Sequence, residues 1–178
     1  MSNSLLYQLI AGEGSLIILT GGMCGGKTNT LNYLTSSSKY SPTETLIIKP
    51  KIDTRFGEGN ISRTGSTNNE VISIDSFLEG ESLDNVIKRN INFERGIIGL
   101  DEVTLYKDNE QIYHSIRNLV DQGYNVIAAG LQLDWRGQPF KVIRDLMPYA
   151  NQIQVSHGIC YMDECMNFGE RSLKLINE

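Results

Sequence analysis

Eight consecutive residues, Gly21-Gly22-Met23-Cys24-Gly25-Gly26-Lys27-Thr28, fit the pattern G-x-x-x-x-G-K-[ST]. Phosphate chemistry sets a task for each residue type. Glycines let the main chain curl so that its N–H groups face phosphate oxygens. A helix opening at the lysine adds the positive end of its dipole. Lys27 can reach the outer phosphates, and Thr28 can offer a hydroxyl to Mg²⁺. The bland alternative is a glycine-rich turn that binds nothing. It is disfavoured because a short apolar strand precedes the run and a helical stretch follows it. Cys24 reads as a small loop residue, against the alternative of a reactive thiol near a helix N-terminus.

Asp101 and Glu102 form the second chemical feature, directly after Gly96-Ile97-Ile98-Gly99-Leu100. Carboxyl ends of strands border the ligand crevice of an open α/β sheet. One acid there can hold the water shell of Mg²⁺ while the other faces a substrate, since neighbours on an extended strand point in opposite directions. A pair of solvated acids is the ordinary reading of an isolated Asp-Glu. Trp135 follows another apolar run and can stack on a base. Its alternative is an ordinary buried aromatic.

These residues need a frame to hold them. Leu16–Leu19, Leu46–Ile48, Val71–Ile74, Gly96–Leu100 and Val126–Ala129 are short runs rich in β-branched residues, and predict strands. Helices are predicted over 27–37, over 82–90 with Ser82 as cap, over 108–121, and over 139–147 with Pro139 in the first turn. Residues 56–70 are rich in Gly, Asn, Ser and Thr and read as a mobile loop. Strands alternating with helices predict an α/β fold, a mostly parallel sheet with helices on both faces. The expected division is a nucleotide-binding core over 1–155 and a less regular tail over 156–178.

With 178 residues and 40% hydrophobic side chains, the chain suits one globular domain with a core of ordinary size. Sixteen Lys plus Arg against 21 Asp plus Glu leave a net charge of −5. That balance argues against a nucleic-acid-binding protein or a nucleic-acid-directed ATPase, which need clustered cations. A small anionic substrate remains compatible with it. No charged leader precedes an apolar stretch and no run approaches membrane-spanning length, so the expectation is a cytoplasmic protein with no membrane partner. Three cysteines, Cys24, Cys160 and Cys165, suit a reducing compartment.

Taken in order, four segments make the pattern specific. They are the phosphate loop, Ile48-Lys49-Pro50-Lys51-Ile52-Asp53-Thr54-Arg55-Phe56, Gly99-Leu100-Asp101-Glu102, and Ala129-Gly130-Leu131-Gln132-Leu133-Asp134-Trp135-Arg136-Gly137-Gln138-Pro139-Phe140. Over residues 15–172 the chain resembles the type II thymidine kinase family, whose core is a RecA-like P-loop fold. The resemblance implies transfer of the terminal phosphoryl group of ATP to the 5′-hydroxyl of deoxythymidine, in a homo-oligomer, a tetramer. It implies Glu102 as general base and Arg55 beside the phosphates. It places Thr28, Asp53 and Asp101 near Mg²⁺, and Met23, Asp53, Leu105, Trp135 and Ser172 around the nucleoside.

Departures from the family are visible too. Val103-Thr104-Leu105-Tyr106 stands where a Gln and then aromatics are usual, and Ser62-Arg63-Thr64-Gly65 is the Arg variant of its motif. The family's structural zinc is held by two Cys pairs. Here Cys160 and Cys165 have four residues between them, with His157 as a third candidate ligand and Asp163, water or a neighbouring subunit to complete a tetrahedron. The segment that closes over the nucleoside in the family has little counterpart among these residues. That supports an alternative expectation: an ATP-binding relative that has lost phosphorylation and serves a regulatory or assembly role. His114 reads as a surface or partly packed residue.

Overall fold

The structure is a computed structural model and describes residues 14–37, 43–53, 70–74 and 82–172. Its frame is a six-stranded, wholly parallel sheet of β1 (Ser15–Gly21), β2 (Glu44–Pro50), β3 (Glu70–Ile74), β4 (Gly96–Leu100), β5 (Asn125–Ala129) and β6 (Gln152–Ser156), in the order β3-β2-β4-β5-β1-β6. The five predicted strands are all present. The sixth was not anticipated. Every residue of β1, β4 and β5 is buried, as expected of parallel strands covered on both faces.

Helices cover the two faces unequally. On one side, α1 (Lys27–Ser37) sets Leu31 and Leu34 against Ile17, Leu19, Ile47, Ile97 and Ile127. It comes close because β4 carries Gly99 there. A methyl on Gly99 would lie 3.1 Å from Leu31 Cδ1 and 3.3 Å from Ile47 Cγ1. On the other side α2 (Leu83–Asn90), α3 (Asn109–Asp121) and α4 (Lys141–Leu146) pack over the larger core of Leu16, Ile18, Leu46, Ile48, Ile98 and Leu100. Each fully buried aliphatic side chain contributes about 1.5–3 kcal/mol.

The sequence specifies α3 well. Ile112, Ile116 and Leu119 recur at helical spacing and are buried, and the Asp108 carboxylate accepts from the Gln111 N–H at 2.9 Å. Two expectations need correcting. Ser82 occupies the N-cap of α2, but its side chain makes no cap bond; it bonds to the Asp84 carboxylate. That carboxylate also accepts from Ser115 and Asn118 of α3, so it joins the two helices and its pKa is lowered by those bonds against the opposing effect of burial. The last predicted helix is shorter than 139–147. Pro139 is bridged to Leu133 and Phe140 is the N-cap, so the helix opens at Lys141 and passes into a 3₁₀ turn over Met147–Tyr149. The predicted loop over 56–70 lies outside the described residues except for Glu70, which begins β3. No helix among the described residues is long and apolar enough to cross a membrane.

Candidate active site

The phosphate loop runs from the end of β1 at Gly21 to the start of α1 at Lys27. Its backbone requires glycine where the motif supplies it. Gly21 has φ +126° and Gly26 φ +81°, and a Cβ on Gly21 would overlap the Ser156 carbonyl oxygen. Cys24 adopts the left-handed region without being glycine, at φ +57°, and is exposed. Lys27 is 7% exposed and its Nζ donates to the Gly22 carbonyl at 2.6 Å, so the loop itself holds the ammonium group.

Asp101 lies one residue beyond β4, its N–H donating to the Ile48 carbonyl of β2 at 2.8 Å. It is 2% exposed. The Thr28 hydroxyl lies 3.2 and 3.1 Å from its two carboxylate oxygens, which joins the phosphate loop to the second strand end. Hydroxyl and carboxylate oxygens are the donors Mg²⁺ takes, so the pair fits that ion. Burial, followed by the charge of Glu102, pushes the Asp101 carboxyl up to about 7 against the hydrogen bond from Thr28; Asp53 adds a smaller push.

Glu102 does face a different environment from Asp101, but not through strand alternation. It sits at φ +50°, ψ +44°, a left-handed turn between β4 and a 3₁₀ turn over Val103–Leu105. The turn leaves Val103 buried and Leu105 exposed. The hydroxyl of buried Tyr106 has no hydrogen-bond partner, and burial together with the Asp101 charge raises its pKa.

Asp53 is 6% exposed and closes a turn by donating its N–H to the Pro50 carbonyl at 2.9 Å. Arg55 lies outside the described residues. One residue near this turn escaped the sequence reading. Lys49 is fully buried, with Nζ 3.5 Å from the Asp53 carbonyl oxygen. The register pairs Ile47 with Gly99 and so sets Lys49 beside Asp101 on the face covered by α1. A lysine ending a strand just before a proline was the available signal.

Trp135 stands at the tip of a tight loop after β5. The Asp134 carboxylate accepts from the N–H groups of Arg136 and Gln138 at 2.8 and 2.9 Å, and Gly137 turns the chain at φ +79°. The indole is 45% exposed and lies under the Arg136 guanidinium, which rules out the buried-aromatic reading. Met23 and Leu105 are comparably exposed, on loops that leave β1 and β4, the two strands flanking β5.

The family model for thymidine kinases matches residues 14–178. A thymidine kinase of Ureaplasma parvum is 33% identical over 164 residues, covering 92% of this chain and 70% of the relative. Thymidine kinases of Thermococcus kodakarensis and Coprothermobacter proteolyticus are each 30% identical, covering 92% and 96% of this chain and 80% of either relative. The chain belongs to the thymidine kinase family.

In this family member the tail makes a short antiparallel hairpin, β7 (Gly158–Ile159) with β8 (Phe168–Gly169). Cys160 and Cys165 flank its connection and their side chains meet, while the His157 ring packs against Phe168 at 5.5 Å. Among the described residues no three His, Cys, Asp or Glu groups come together to hold a metal ion. The three expected zinc ligands are not brought together as a set among the described residues, and Asp163 is exposed. Ser172 is half-buried, its hydroxyl buried without a partner. His114 is exposed, edge-on to Tyr113, as expected.

Proposed function

We propose that this chain transfers the terminal phosphoryl group of ATP to the 5′-hydroxyl of deoxythymidine. The observation that carries the reading is the contact of the Thr28 hydroxyl with both oxygens of Asp101, which sets a phosphate loop and a buried carboxylate around one point. The family membership supports thymidine as acceptor. Glu102, next in the chain and half-buried, takes the hydroxyl proton as the 5′-oxygen bonds to the γ-phosphorus. The bond to the β,γ-bridging oxygen breaks, and ADP carries away that electron pair. Lys27 and Arg55 hold the phosphate charge, and the glycine-loop N–H groups cradle the phosphates. Mg²⁺, when bound through Thr28 and Asp101 with Asp53 nearby, supplies charge neutralisation. Trp135 stacks on the base, with Met23, Leu105 and Ser172 bordering it.

The tail over 156–178 is taken as an appendage to the kinase core, and zinc forms no part of the proposal. A homo-oligomer, a tetramer by the family resemblance, is proposed as the working form. Ile153, Val155, Ile159 and Phe168 offer exposed apolar surface for subunit contacts. Cytoplasmic location is proposed from the three free thiols. The test is transfer of labelled phosphate from ATP to a panel of nucleosides, with ATP binding measured in parallel. Transfer to thymidine above the others is expected; ATP binding without transfer to any nucleoside would sink the kinase reading.

A further inference from the structure

One side of the phosphate loop is covered by main chain. It lies against Ser156 and Gly158, where β6 passes into the tail hairpin. The Gly22 N–H donates to the Ser156 carbonyl at 3.1 Å, and a Cβ on Gly25 would lie 2.8 Å from the same oxygen. A Cβ on Gly158 would overlap the carbonyl oxygen of Met23. Main chain therefore meets main chain, with no side chain between them.

This packing has a directional consequence. No peptide bond here is cis. In a trans peptide the carbonyl and the following N–H point in opposite directions. The Met23 carbonyl is pressed toward Gly158, so the Cys24 N–H points away from the hairpin. Cys24 at φ +57° is the left-handed member that such a cradle of N–H groups requires. A non-glycine residue there carries a cost that its surroundings must hold in place.

We infer that Gly158 is a positioning residue of the nucleotide site: by admitting the Met23 carbonyl it turns the Cys24 N–H toward the phosphates of a nucleoside triphosphate. The tail hairpin is then part of the ATP site. The inference rests on the nucleotide-binding reading above and concerns Gly158, a residue that none of the sequence motifs marks.

The hairpin contains its own control. Gly169 pairs with Gly158, yet a methyl on Gly169 would meet nothing nearer than 3.6 Å. Gly158→Ala and Gly169→Ala add the same methyl to the same hairpin with opposite clearance at the loop. Titration with ATP, adenosine and thymidine, with melting curves for folding, separates them. For Gly158→Ala, ATP affinity is expected to fall at least tenfold, while adenosine and thymidine affinities stay within about twofold. Gly169→Ala should bind all three like the parent. Parent-like ATP affinity in Gly158→Ala overturns the inference, and so does an equal loss in both variants.

A second measurement needs no variant. Coupling between two sites is reciprocal. ATP should therefore slow hydrogen exchange of the Cys160 N–H, which bonds to the Asn167 carbonyl across the hairpin at 2.9 Å. Unchanged exchange in ATP-saturated protein overturns the inference even if Gly158→Ala fails to fold. A parent that binds no ATP overturns the nucleotide reading itself, an outcome distinct from either of these.

Discussion

Along the carboxyl edge of the sheet, the half proposed to face the phosphates is built from main chain and the half proposed to face the acceptor is built from side chains. The phosphate half has Gly21, Gly22 and Gly25 packed against Ser156, and Lys27 is tied to a loop carbonyl. The acceptor half brings Asp53 and Glu102 close to Asp101, with Lys49 beside that acid and Trp135 exposed on the loop after β5. Shape limits the first, because a single Cβ collides with backbone that cannot move aside. Charge limits the second, because burial and the neighbouring carboxylates raise the pKa of Asp101. The two halves should therefore fail in different ways.

The harshest test of the phosphate half is Gly21→Ala. It forces a side chain onto φ +126° and into the Ser156 carbonyl. ATP binding should be lost in calorimetry; retained binding would mean that the loop has more freedom than its packing indicates. On the acceptor half, Glu102→Gln keeps shape and removes the base. Turnover should drop a hundredfold or more, with ATP affinity unchanged. A joint loss of turnover and ATP affinity would erase the distinction between the halves.

The next effect is electrostatic. Burial holds the Asp101 carboxyl up at about 7 in the folded protein, against about 4 for an ordinary aspartate. The folded state therefore holds this proton more tightly between those values. Its contribution to stability is complete below about pH 4 and is lost as pH rises through 7. Without nucleotide and Mg²⁺, the parent should lose on the order of 3 kcal/mol relative to Asp101→Asn between pH 4.5 and 7.5. Melting curves of the two proteins across that range measure it, and parallel curves would refute it. Asp84, whose pKa is lowered, slopes the other way and loses its contribution only as pH falls below the ordinary carboxylate range. The smallest effect belongs to Trp135→Ala. Thymidine should bind about tenfold more weakly, within the about 1–3 kcal/mol of one stacked base, and ATP normally. The lone indole reports this directly, since thymidine should quench it in the parent.

Much of this edge is legible without coordinates. The strands of residues 16–19, 46–48, 96–100 and 126–129 are continuous apolar runs, and the phosphate loop and Asp101-Glu102 follow two of them directly. The strand β6 was not legible. Gln152-Ile153-Gln154-Val155-Ser156 lies at the sheet edge, and both of its apolar residues are exposed. Its pairing with β1 supplies the order that its composition does not. Glu102 is singled out by its place after the strand, yet its left-handed backbone carries no local mark, because glycine is the usual occupant of such a turn.

Read alone, the chain specifies the order of the first five strands and their helices, the parallel α/β class, the phosphate loop and the two adjacent acids. All of these depend on residues close together in the chain, where periodicity, glycine spacing and apolar runs act directly. Only the tertiary structure decided that Thr28 meets Asp101 across 73 residues, that Lys49 is buried beside the same acid, and that the loop rests on Ser156 and Gly158. Those contacts arise from strand order, which brings β2 beside β4 and β6 beside β1. The last of them joins backbone to backbone, a contact that side-chain identity records only as the absence of a Cβ.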